Sequence, residues 1–195
     1  MKSVLAVIFS LLFFDPEGVS VEKWVIDNTS SLRIEGKTNV SAFKCDIGEY
    51  LNHDTILFYK NHGDHEPVIA RGGLTININR FNCHENHITA DLKKALKADD
   101  NAYMKINLLT LGYIQQNTPN QTVKGQVEIL LAGVTKKIEI DYTVLNHQGG
   151  FLHLIGNATV LFSDFKLIPP RKLAGLIKVE QEIKVQFKLM LRSVL

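Results

Sequence analysis

The sequence predicts an all-β fold, an antiparallel β-barrel with one short amphipathic helix. Three observations lead there. Apolar and polar residues alternate with period two over most of the chain, short turns separate neighbouring runs, and a single stretch switches to helical spacing. Of 195 residues, 45% are hydrophobic and 22% charged, enough apolar content for one buried core and too much for a disordered chain.

The N-terminus stands apart from this pattern. Lys2 precedes an uncharged apolar run from Val4 to Phe14, which Asp15-Pro16 breaks. The run falls short of the about 20 residues that span a bilayer, and Gly18 and Ser20 are small residues suited to a signal peptidase. We therefore expect a signal peptide over residues 1–20, a single barrel domain over 21–195 beginning near Val21, and a periplasmic or secreted destination. No cysteine follows the run to accept a lipid anchor. Removing residues 1–20 takes away one lysine and two acids and leaves a net charge of +3. So weak and dispersed a charge argues against nucleic acid as a partner.

Taken in order, Trp24-Val25-Ile26, Leu32-Ile34, Val40 to Tyr50, Ile56 to Tyr59, Leu74-Ile76-Ile78 and Met104 to Leu111 supply candidate strands. Arg71-Gly72-Gly73 reads as a turn. Between Ile88 and Ala98 the apolar Ile88, Leu92, Ala95 and Leu96 fall at helical spacing opposite Lys93, Lys94 and Lys97, with Thr89 available as a cap. That helix would lay its apolar face over a barrel wall or opening. Alternation resumes in Val123 to Leu131, Ile138 to Val144 and Leu152 to Phe162, joined by hairpins at Ala132-Gly133 and Asn146 to Gly150. Pro169-Pro170 leads into a loop. The final run from Ile177 to Leu191 alternates with Lys178, Glu180, Glu182, Lys184, Gln186 and Lys188, long enough to curl around a barrel.

Cys45 and Cys83 are the two cysteines. An oxidising compartment favours a disulfide between them, worth about 3–4 kcal/mol by loop closure; two separate buried thiols are the alternative. His62-Gly63-Asp64-His65-Glu66 and the pair His84 and His87 offer ligand types for zinc or copper, but their polar, loop-like context leaves them more simply solvated, and we assign no metal site. There is no Gly-x-Ser-x-Gly elbow, no glycine-rich phosphate loop and no cysteine beside a base, so no catalytic residue is assigned. Asn28, Asn39, Asn120 and Asn157 begin Asn-x-Ser/Thr triplets, relevant only in a eukaryotic secretory pathway.

What remains is interior volume. A barrel of about eight strands is either filled by side chains or holds one small ligand. Phe43, Phe58, Ile129, Ile140, Tyr142, Leu154, Phe162 and Phe187 lie on the inward face and are the candidate lining of a lipid cavity.

Three stretches then align with a known pattern. Trp24-Val25-Ile26-Asp27 with Ser31, Gly133-Val134-Thr135-Lys136 and Ser163-Asp164-Phe165-Lys166-Leu167, with a helix around Leu92 to Lys97 between them, make the region after the leader resemble the YceI-like family. That resemblance implies an exported lipocalin-like barrel whose apolar tunnel holds an isoprenoid or similar amphiphile, without catalytic machinery. Ser30 stands where the family often has histidine and Lys166 where it usually has glycine, so no head-group contact is carried over.

The sequence thus leads to a non-enzymatic exported binder or carrier of an apolar isoprenoid-type lipid, a polyprenyl chain or a quinone, with no cofactor. A homodimer is left open. The alternative is a structural or partner-binding barrel with a filled core, using loop histidines for metal. A small outer-membrane barrel is disfavoured, since one tryptophan and no paired aromatic girdles do not suit stable membrane insertion.

Overall fold

The computed structural model describes residues 19–60, 67–115, 118 and 120–194. The expected signal peptide lies outside these residues except for Val19 and Ser20, and the 62–66 histidine segment lies outside them entirely. Ser20 opens the first strand.

The strands are β1 (Ser20–Ile26), β2 (Ser31–Thr38), β3 (Ala42–Ile47), β4 (Thr55–Lys60), β5 (Val68–Asn77), β6 (Tyr103–Leu111), β7 (Gln121–Leu131), β8 (Val134–Gln148), β9 (Phe151–Leu161), β10 (Arg171–Lys172) and β11 (Ile177–Val194). Helix α1 (Asn86–Ala95) sits between β5 and β6. Pairing runs β1, β4, β5, β6, β7, β8, β9, β11 and returns to β1, so eight antiparallel strands close a barrel, while the β2–β3 hairpin extends from β11. Closure leaves the wall without open edges.

Strand β11 makes this geometry workable. At about 3.3 Å per residue its 18 residues span about 60 Å, enough for two shorter strands in succession on one edge. One edge pairs with β9 from Glu182 to Arg192. The other pairs with β2 as far as Lys188 and with β1 from Leu191 onward. Met190 falls at the changeover, where the chain turns a corner through residues 27–30. The Asp27 N–H donates to the Met190 carbonyl at 2.8 Å. Ser30, 1% exposed, accepts the Met190 N–H at 3.0 Å and donates to its carbonyl at 3.3 Å. Asp27 also accepts from the Thr29 amide and hydroxyl at 3.0 and 2.7 Å, bonds that hold its carboxyl below the usual range.

Three sequence expectations need correction. Arg71-Gly72-Gly73 is not a turn but a bulge inside β5, whose register shifts between Ile69 and Gly73. Gly72 has φ of +102°, and a Cβ there would lie 2.2 Å from the Thr55 carbonyl oxygen. Phe162 ends no strand: it begins a 3-10 turn, Phe162–Phe165. The helix starts earlier than expected and Thr89 does not cap it; its hydroxyl donates to the Glu85 carbonyl at 2.9 Å and accepts the Cys83 N–H at 3.0 Å.

The expected disulfide, Cys45–Cys83, is present and joins β3 to the segment entering α1. An antiparallel bridge between Asp46 and Asn82 runs beside it, with N–H to carbonyl bonds of 2.9 and 3.0 Å. Asp46 also receives Arg33 at 2.6 Å and His84 at 3.1 Å. The helix is therefore clamped at its N-terminal side to the β2–β3 hairpin.

Replacing Ser30 by alanine leaves the Met190 N–H without its acceptor in a buried corner, and urea unfolding should show a loss of about 1–3 kcal/mol; an unchanged midpoint would mean that the corner is held some other way. The Cys45→Ala/Cys83→Ala double variant closes no 38-residue loop and should lose about 4 kcal/mol by the chain-entropy argument.

Candidate functional site

The barrel interior is not uniform. Tyr142 of β8 is 2% exposed, and its ring occupies space left by glycines on both neighbouring strands. A Cβ on Gly125 of β7 or on Gly156 of β9 would lie 2.7 Å from that ring. Burial pushes the phenol's pKa far up, so Tyr142 is a neutral plug across the working pH range. Trp24 and Phe58, edge to face at a centroid distance of 6.4 Å, pack elsewhere in the same continuous core.

Toward α1 the packing opens. A cavity of about 70 Å³ is walled entirely by apolar side chains, among them Leu92 and Leu96 of the helix, Met104, Ile129, Phe162 and Phe187. Beside it lies a larger groove of about 390 Å³. Its walls come from the β2–β3 hairpin (Val40, Phe43), from α1 (Ile88, Leu92), from the strand-poor stretch before β11 (Leu173) and from the first residue of β11 (Ile177). Leu92 and Phe162 line both spaces and stand between them. The groove's polar margin includes His87, Asp91 and Lys172, and the Lys172 ammonium meets the Asp91 carboxylate at 2.7 Å across the mouth.

The helix is positioned by its own pattern. Ile88 and Leu92, four residues apart, face the barrel, while the disulfide and the Asp46–Asn82 bridge fix where the helix begins. The Phe162 turn is fixed from the other side. Asp164 accepts the Leu161 N–H at 2.9 Å and meets Lys136, next to the β7–β8 turn, at 3.4 Å. Lys166 ends the turn in the left-handed region at φ 53°, a conformation glycine adopts freely.

The eight expected cavity residues divide accordingly. Ile129, Phe162 and Phe187 line the inner cavity, and Phe43 and Phe162 line the groove. Phe43 lies over Gly36, where a Cβ would meet its ring at 2.3 Å. Phe58, Ile140, Tyr142 and Leu154 are buried but border neither space. Sequence reasoning missed Leu173 and the Asp91–Lys172 pair, which sit in segments without period-two signal, and Val40, which it placed at the start of a strand but which lies in the β2–β3 connection. Among the described residues no group of three histidine, cysteine or acidic side chains could hold a metal ion.

The family model for the YceI-like domain matches residues 24–191. A polyisoprenoid binding domain from Saccharophagus degradans superposes with a TM-score of 0.61 at 12% identity, covering 88% of this chain and 98% of that one. BcnA of Burkholderia cenocepacia gives 0.61 at 12% identity, over 83% of this chain and 95% of that one. The YceI protein of Campylobacter jejuni gives 0.51 at 18% identity, over 69% and 84%. No curated protein matches the chain. At these identities the structural likeness is one of fold.

If Tyr142 plugs this part of the barrel, Tyr142→Ala should cost about 3–5 kcal/mol in urea unfolding. Gly156→Ala should be destabilising in the wild-type chain and less so beside Tyr142→Ala, where only the Ile140 methyl, 2.9 Å from the added Cβ, still crowds it; equal effects in both backgrounds would show that ring and glycine are not coupled.

Proposed function

The chain belongs to the YceI-like family, and from that premise we propose that it is an exported binding or carrier protein for a long apolar lipid of the isoprenoid class, a polyprenyl chain or a quinone. The observation that carries this reading is the wholly apolar cavity meeting a mostly apolar groove at Leu92 and Phe162. The fold shared with a polyisoprenoid binding domain supports it.

The volumes say how such a cargo would sit. The groove, about 390 Å³, falls within the range of small-molecule sites. The inner space, about 70 Å³, is smaller than the about 150 Å³ that takes up benzene in an apolar core. A prenyl chain would therefore lie mainly in the groove and send one end inward, with Leu92 and Phe162 turning aside as it passes. Each methylene moved out of water contributes about 0.8 kcal/mol, so chain length alone supplies affinity without polar recognition. The leader pattern of residues 1–20 and the Cys45–Cys83 disulfide support export to an oxidising compartment.

Native mass spectrometry of protein prepared without detergent tests the reading. The expected spectrum shows a mass excess matching an isoprenoid lipid, and that excess should fall severalfold in Leu92→Trp, whose larger ring fills the passage. A bare polypeptide mass from the wild-type chain would favour a filled, partner-binding barrel instead.

A further inference from the structure

The end of the barrel where the groove opens has an unusual surface. Leu173, Leu176 and Val40 are 68, 75 and 67% exposed there. They share one surface: Val40 and Leu173 line the same groove, and the Asn39 side chain donates to the Leu176 carbonyl at 2.9 Å while accepting the Lys178 N–H at 2.9 Å. Ile168, 80% exposed, lies on the same stretch of chain. The backbone that presents these side chains is strained. Leu173, Ala174 and Gly175 have φ of 50, 51 and 90°, three successive left-handed residues of which only one is glycine. A chain that spends strain on holding leucines in water is built to cover them with something.

The charge around the patch says what. From Phe165 to Val179 the sequence carries Lys166, Arg171, Lys172 and Lys178 and no acidic residue, and the neighbouring hairpin from Gly36 to Phe43 adds Lys37 and again no acid. Lys172 is paired with Asp91; among the described residues Lys37, Lys166, Arg171 and Lys178 form no ion pair. Arg171 and Lys178 stand directly opposite each other in the β10–β11 ladder, an arrangement in which like charges repel. An anion between them removes the repulsion.

We propose that this end of the barrel docks on the surface of a bilayer containing anionic phospholipid, with Leu173, Leu176 and Val40 entering the interface and Arg171 and Lys178 meeting the headgroups. Exposed apolar side chains ringed by cations are the pattern that binds such a surface. Docking would set the groove mouth against the membrane, so that an apolar chain crosses without passing through water. The docking stands on the surface itself; only this use of it rests on the carrier reading.

The test is co-sedimentation of the full chain with phosphatidylcholine vesicles made with and without phosphatidylglycerol. Wild-type protein should partition to the anionic vesicles, less so as salt rises. Leu173→Ser/Leu176→Ser and Arg171→Gln/Lys178→Gln should each weaken that partition about tenfold or more. All variants share the same N-terminal segment, so the difference reads the patch, and unfolding midpoints no lower than wild type would show that the fold is intact. Variants that bind as well as wild type, or wild-type protein indifferent to phosphatidylglycerol, would overturn the proposal. So would a failure to bind any vesicle, which would pass the patch to a protein partner. Native mass spectra of the same preparations keep the two readings apart: lipid cargo without vesicle binding removes the docking alone, and vesicle binding without cargo removes the carrier alone.

Discussion

The barrel depends on how one edge of its last strand is shared. β11 must pair with β2 and then with β1, and between those partners its backbone at Met190 faces a corner, not a ladder. A buried amide without a partner is costly, and water has little access there. The Ser30 hydroxyl resolves this by bonding to both polar groups of Met190, with the Asp27 amide joining it at the carbonyl. Since β1 reaches both β4 and β11, failure at this corner would reopen the closed wall and expose two edges.

The same economy explains the family motifs. Asp27 and Ser30 shape the corner, and Asp164 ties the Phe162 turn to Lys136 beside the β7–β8 hairpin. Trp24 to Ser31 and Gly133 to Lys136 border neither the cavity nor the groove and act as fastenings around the barrel. The absence of histidine at position 30 leaves the fastening intact, because a hydroxyl suffices to accept one hydrogen bond and donate another. At Lys166 the left-handed backbone that glycine would adopt freely is kept, at a steric cost borne by a lysine.

Much of the fold was legible because side chains in a strand alternate between core and solvent, and that alternation survives in β7, β8, β9 and β11. The helix was legible for the same reason at a different period, down to Leu92 as a core contact. Gly72-Gly73 misled because glycine pairs mark turns more often than bulges, and only the close approach of the Thr55 carbonyl distinguishes the two. The site was legible in part. Ile129, Phe162, Phe187 and Phe43 border the open space, whereas Tyr142, equally apolar in pattern, fills its surroundings because Gly125 and Gly156 on adjacent strands make room for it. No local signal separates those cases. The groove joins a hairpin, a helix and an irregular segment far apart in sequence, and that juxtaposition exists only in the folded chain.

In the proposed binding mode a lipid chain enters beside α1 and passes between Leu92 and Phe162. Photocrosslinking tests it most directly: an isoprenoid bearing a diazirine at its terminus, added to the purified protein, should label residues of the inner cavity such as Leu92, Phe162 or Ile129, and a diazirine near its head should label the groove around Leu173 and Ile177. Labels scattered over the outer wall, or none above the background given by a short-chain analogue, would contradict it.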